Sequence, residues 1–246
     1  MYRSLFNYIG EALRSSGQTL DKIGCRLQGN YAYVEKLNRH ARVSVFKENI
    51  PFLGNSSFIA PNSSVIGNVS IGDKTSIWYN TVLRGDVNTI EIGDETTIGD
   101  RTVIHVASKG PKGPMPTTIG NKVYVGPGSI LHACTIQDEC YIGSGSILYD
   151  GSIVEKNGFL ESGSLLTSGK KVLSGQVWGG SPAIFIRNVT KNDIENLYQT
   201  INDNITLSEE HEIQTQKSSK QLHLDELEIS TLNRTSLQNE IHTKKD

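Results

Sequence analysis

The chain has 246 residues, 20% charged, 36% hydrophobic and 7% aromatic, with a formal net charge of −2. The near-neutral balance argues against a nucleic-acid partner, three cysteines without a C-x-x-C pair argue against a disulfide scaffold or zinc finger, and no apolar run reaches the roughly 18 residues of a bilayer span. Charge is nonetheless zoned: residues 1–48 carry 8 Lys/Arg against 4 Asp/Glu, residues 49–190 carry 10 against 11, and residues 191–246 carry 6 against 11.

The basic head, residues 1–48, is expected to be an amphipathic helical and extended segment. Over residues 1–28 Leu5, Phe6, Ile9 and Leu13 form one apolar stripe and Leu20, Ile23 and Leu27 a second, with Gly17 between them. The pattern fits one helix or a broken pair. Arg3, Arg14, Lys22 and Arg26 flank the stripes. Such a segment suits an organelle-directed or membrane-surface role, or packing on an open end of the body.

Residues 49–188 carry a repeat. Every sixth residue is aliphatic through Ile59, Val65, Ile71, Ile77 and Leu83, then Ile92, Ile98 and Ile104, then Ile119, Val125 and Leu131. The last run is unbroken from Ile136 through Ile142, Leu148, Val154, Leu160 and Leu166 to Val172. A period of six matches neither a helix nor a plain strand; it predicts a hexapeptide solenoid, three short strands to a turn of about eighteen residues. Gly often follows the aliphatic residue, at a position expected near a corner where Gly, Asn or Asp tolerates unusual dihedrals. The phase breaks twice, at Arg84–Asn88 and in a Gly/Pro-rich excursion over Ser108–Pro116, and such departures are where function is usually placed.

After a compact turn at Val177–Ala183, a C-terminal helix is predicted over residues 189–206. Ile194, Leu197, Tyr198 and Ile201 form its stripe and Thr190 its cap. Residues 207–246 form an acidic tail without aromatics, glycine or proline, expected to be disordered or extended along a partner.

The chemistry concentrates in the repeat. His105 and His132 directly follow hexad positions and are 27 residues apart, one turn plus the excursion. That arithmetic stacks them on adjacent turns, where two imidazoles can share a metal. His40, His211, His223 and His242 read as solvent-facing. Arg84 and Asp86 point to one side of the first phase break and are placed either to pair internally or to meet a neighbouring chain. Cys134 and Cys140 read as small packing residues, and Trp78 and Trp178 as core.

Trp78–Asn88, Thr102–Val106 and Gly128–Thr135 resemble the signature segments of gamma-class carbonic anhydrases. Gly17–Gly29 and Val177–Ala183 are similar to the gamma-carbonic-anhydrase subunits of mitochondrial respiratory complex I. The resemblance covers roughly residues 10–205. It implies a left-handed parallel β-helix that forms trimers, with zinc at the interfaces, two histidines from one chain and a third from its neighbour. By position His105 and His132 match the pair, and Arg84 and Asp86 match the trimer-interface ion pair. The neighbour's histidine belongs where this chain has Pro127, and the family's Asn-x-Gln pair falls on Thr97 and Gly99. A complete catalytic zinc needs three protein ligands, so these departures argue against a self-sufficient enzyme.

The resemblance therefore implies a structural subunit on the matrix side of the inner membrane, in a heterotrimer with paralogous chains on the complex I membrane arm. Its head would lie near that membrane. A zinc carbonic anhydrase completed by a paralogous neighbour is the second reading. A hexapeptide-repeat acyltransferase is a third, resting on fold alone.

Overall fold

The structure is a computed structural model that describes residues 2–29, 40–110, 113–218, 221–222 and 224–225. Helix α1 spans Tyr2–Gln28 and forms one compact unit; a second unit begins at Ala41. Gly17 does not break α1. Ser16 and Thr19 return hydrogen bonds to the carbonyls of Ala12 and Ser15, keeping the turn closed around it. Ile9, Leu13, Leu20, Ile23 and Leu27 all stand exposed. The side chains of Arg3, Leu5 and Phe6 lie outside the described residues, as do His223, His242 and the tail beyond 225.

The second unit is a parallel β-solenoid. All eighteen hexad residues are buried, each against its equivalents one coil away: Ile98 registers between Ile77 and Val125, and Leu131 between Ile104 and Leu148. Full burial of each such side chain contributes on the order of 1.5–3 kcal/mol, and repetition makes a rod-shaped core from two-residue strands. The first pairing precedes the expected boundary at residue 49, because Val43–Ser44 already pairs with Val65–Ile66.

The glycines that follow the aliphatic positions serve a different purpose from the one expected. A Cβ on Gly93 would lie 2.7 Å from the carbonyl carbon of Gly120 in the next coil, so close stacking excludes a side chain there. The left-handed backbone comes later, three residues past the aliphatic position. There it is adopted even by Lys74, Glu95, Lys122 and Glu139.

Three faces result, and they differ. One carries the outward ladder Tyr124, Tyr141 and Phe159, with ring centroids 5.3 and 5.6 Å apart in near-parallel stacks. Helix α2 (Lys191–Thr215) covers it, packing Leu197 and Ile201 against Phe159 and Val177. A second face shows Phe52, Ser70, Glu91, Thr118, Thr135, Ile153 and Lys171 and is polar at all of these but Phe52 and Ile153. The third shows Val82, Val103, Ile130, Ile147 and Leu165 in one column, with Val103 and Ile130 exposed.

Helix α2 is longer than expected, ending at Thr215 rather than 206, so the first nine residues of the acidic segment are helical. A capping box between Thr190 and Asp193 starts it, and no glycine or proline lies between Lys191 and Thr215 to stop it. His211, expected to face solvent, lies instead against Phe58, Trp78 and Tyr79. Its Nδ1 is 2.9 Å from the Tyr79 hydroxyl.

Candidate metal centre

The first phase break is an outward bulge. Strand Val82–Ile92 stays in register with Ser64–Ile71 on both sides, Gly67 against Gly85 and Val69 against Ile90, and its surplus residues, Asp86–Thr89, loop out between. The loop brings the Asp86 carboxylate beside the next coil. The second break is a small hairpin, Ala107–Gly110 with Gly113–Met115, that leaves the coil directly after His105 and Val106.

On the exposed apolar face, Arg84, His105 and His132 stack in register as one column. The two imidazole centroids are 5.2 Å apart. Asp86 Oδ2 accepts from the Arg84 guanidinium at 2.9 Å, and Asp86 Oδ1 lies 3.0 Å from Nε2 of His105. The second guanidinium nitrogen of Arg84 is 3.4 Å from His105 Nδ1. A guanidinium only donates, so Nδ1 accepts and Nε2–H donates to Asp86. Burial alone would raise the Asp86 carboxyl. The hydrogen bond from His105 and the nearby positive charge of Arg84 outweigh it and hold the group below the usual carboxylate range.

His132 is held differently. Its Nδ1 is hydrogen-bonded to Asp150, one coil further on, which leaves Nε2 directed away from that carboxylate. A carboxylate behind the non-ligating ring nitrogen is the usual arrangement that orients a metal-binding histidine. Asp150 carried no motif in the sequence. The signal that finds it is the coil length, since it stands eighteen residues after His132.

The remaining family positions gather elsewhere. Thr97, Gly99 and Pro127 line a cavity of about 190 Å³ with Trp78, Tyr124 and two residues of α2, and neither His105 nor His132 lines it. A Cβ on Gly99 would lie 2.7 Å from Pro127 N and 2.9 Å from the Val125 carbonyl oxygen. Gly99 and Pro127 are therefore packed as a pair. The thiols of Cys134 and Cys140 are buried, and burial pushes each up to about 12.

Comparison with known proteins finds relatives of this chain. The bacterial transferase hexapeptide (six repeats) family model matches residues 51–85 and 116–150. An uncharacterised protein of Dictyostelium discoideum is 60% identical over 233 residues, 95% of each chain. The mitochondrial gamma carbonic anhydrase 2 of Arabidopsis thaliana is 40% identical over 218 residues, covering 88% of this chain and 78% of that one. The chain belongs to the gamma carbonic anhydrase family. A solved hexapeptide transferase family protein of Anaplasma phagocytophilum superimposes with a TM-score of 0.63 at 42% identity, covering 68% of this chain and 96% of that one.

As a gamma carbonic anhydrase relative, the chain invites a test against zinc. The two imidazoles are suitable donors, but among the described residues no three His, Cys, Asp or Glu side chains converge on one point. The described residues of one copy thus offer two imidazoles, short of the three protein ligands and open position that a catalytic zinc takes.

Proposed function

We propose that this chain is a structural gamma-carbonic-anhydrase-like subunit of mitochondrial complex I, NADH:ubiquinone oxidoreductase. It sits in a heterotrimer with related chains on the matrix side of the membrane arm. The observation that carries the reading is the incomplete histidine site. His105 and His132 stand paired on an open face, while Pro127 and Gly99 occupy the positions where the family implies a third ligand and a glutamine. The apolar column beside the histidines, exposed at Val103 and Ile130, supports a neighbouring chain at that face, since exposed apolar surface marks an interface. The mitochondrial Arabidopsis relative supports the compartment. No described helix is long and apolar enough to cross a membrane, so the attachment is read as peripheral.

The second reading is a zinc carbonic anhydrase site completed by a paralogue. The preset 5.2 Å spacing of the two imidazoles favours it. In a mixed trimer this chain would join one three-histidine site and present Pro127 at its other interface. The test is mass spectrometry of the proteins that co-purify with the chain from gently solubilised mitochondrial membranes. Complex I subunits together with related hexapeptide chains are expected. Recovery of the chain alone as a soluble homotrimer would remove the assignment.

A further inference from the structure

The two ends of the solenoid differ. At the far end Leu166 and Val172 are fully buried, and the Ala183 N–H donates to the Leu165 carbonyl at 2.8 Å, so the last coil is closed. At the near end the equivalent inward residues are Val43 and Leu53, in register with Val65 and Ile71, and they are 37% and 39% exposed. Val45, Ile50 and Phe52 stand open around them. Among the described residues the strands Val43–Ser44 and Phe52–Leu53 each pair on one side only, which leaves their outer edges and the end of the core without a cover. A solenoid needs its terminal coil closed, and an unpaired apolar edge invites pairing with another chain.

We propose that residues 226–231 of the same chain close this end, adding to the edge at Phe52–Leu53 as an extended segment with Leu227 and Ile229 turned toward Val43 and Leu53. The inference is independent of the proposed function.

The course of the chain brings the segment there. Helix α2 ends beside the first coil, where Thr215 and Gln216 line a cavity of about 220 Å³ with Arg42, Val43, Leu53 and Phe58. Ser218 and Gln221 then exchange hydrogen bonds that turn the chain, and an ion pair of 2.7 Å between Lys217 and Asp225 returns it to the end of α2. Residue 226 therefore sets out next to the open coil, and six extended residues span about 20 Å. The sequence Glu226-Leu227-Glu228-Ile229-Ser230-Thr231 sets Leu, Ile and Thr alternately with Glu, Glu and Ser, the period of a strand with one covered face. Helix α1 is the competing cover, because its apolar stripe is exposed as well. A helix has its backbone groups bonded within itself, however, and cannot pair with a strand edge. An extended segment satisfies the edge and covers the core residues together.

The experiment uses the full-length chain with Phe52 replaced by the photoreactive p-benzoylphenylalanine. After irradiation, peptide mapping is expected to find Phe52's position joined to residues 226–231, and mixing heavy- and light-isotope chains is expected to show that the link lies within one chain. The double variant Leu227→Ser, Ile229→Ser is expected to lose the link. In the same variant without the photoprobe, amide hydrogen exchange over Val43–Leu53 should rise about tenfold, while exchange over Ile136–Val172 stays unchanged and circular dichroism keeps the solenoid signal. A link to residues 1–29 or to a second chain would give the open end to another occupant and overturn the proposal. So would the absence of any link, or exchange over Val43–Leu53 that the double substitution leaves unchanged. Co-purification with complex I subunits is read separately, so failure here leaves that assignment standing.

Discussion

Leu131 precedes His132 in sequence and is fully buried, in register with Ile104 on one side and Leu148 on the other. Leu131→Ala removes three carbons from a column clamped by coils above and below. At about 0.8 kcal/mol per methylene the transfer contribution is roughly 2.4 kcal/mol. The coils are joined through their backbones and cannot close over the gap, so a cavity cost adds to this and the total is expected at about 3–5 kcal/mol. Val172 provides the contrast. It is equally buried, but among the described residues its strand, Lys171–Val172, pairs within its face only with Ile153–Val154. Val172→Ala removes two carbons, about 1.6 kcal/mol by the same bookkeeping, and leaves a site open to relaxation on one side. Urea unfolding followed by fluorescence of Trp78 and Trp178 measures both, and the denaturant slope reports whether cooperativity survives. A Leu131→Ala cost below about 2 kcal/mol, or equal costs for the two variants, would refute the picture of a rigid ladder with soft ends.

The same geometry sets three further expectations. Gly99→Ala forces a methyl against the Val125–Pro127 backbone and is expected to cost about 1–3 kcal/mol, measured by thermal or urea unfolding, whereas a neutral result would mean the corner yields freely. The Asp193 carboxyl is held far below the usual carboxylate range, first by its hydrogen bond with Arg187, then by those from Thr190. Its stabilising contribution is therefore complete above the ordinary aspartate range near pH 4, begins to fall below it, and disappears only as pH drops through the folded value. The destabilisation by Asp193→Ala should thus persist at pH 3, and its complete disappearance there would contradict the assignment. Cys134 and Cys140 are buried with thiols raised to about 12, so alkylation at pH 8 is expected to modify Cys25 alone in the native protein and all three thiols in denaturant; rapid native labelling of a second thiol would show that the core opens.

The period of six carried the fold because it reports a local rule repeated many times. Each buried aliphatic residue sits over another of its kind, and any slip of phase would expose the whole column. The stacking of His105 on His132 was legible for the same reason. The period does not encode which face receives a cover. The ladder of Tyr124, Tyr141 and Phe159 is a run of ordinary outward positions until α2 lies over it. The extension of α2 to Thr215 brings His211 against Phe58, Trp78 and Tyr79, partners far upstream in the chain. Motif reading misses Asp150 because it runs along the chain, while the contact of Asp150 with His132 runs across coils. The spacing of Asp86 from Arg84 points to their ion pair, which the structure contains; the hold of Asp86 on His105 depends on how the bulge turns, and no spacing rule reports that.

The length of α2 is matched to the stack it spans. From Leu197, near Phe159 and Val177, to His211, near Phe58 and Trp78, is fourteen residues, about 21 Å of helix at 1.5 Å per residue. The five strand spacings between those contacts amount to about 24 Å at roughly 4.8 Å each. A stack whose coils touch only their neighbours can fray from either end independently. A bolt fastened near both ends ties their fates together, so that loosening the first coil also loosens the last. The same match limits growth: duplicating one coil would carry the far anchor about 4.8 Å past its socket, close to one helical turn, and only a helix lengthened by about three residues would reach it again. The corners, by contrast, accept extra residues without altering the stack height, as the bulge at Asp86 and the hairpin after His105 already do. Variation in this molecule is thereby channelled into the corner segments beside the histidine column, while the number of coils is held by a gauge lying across another face.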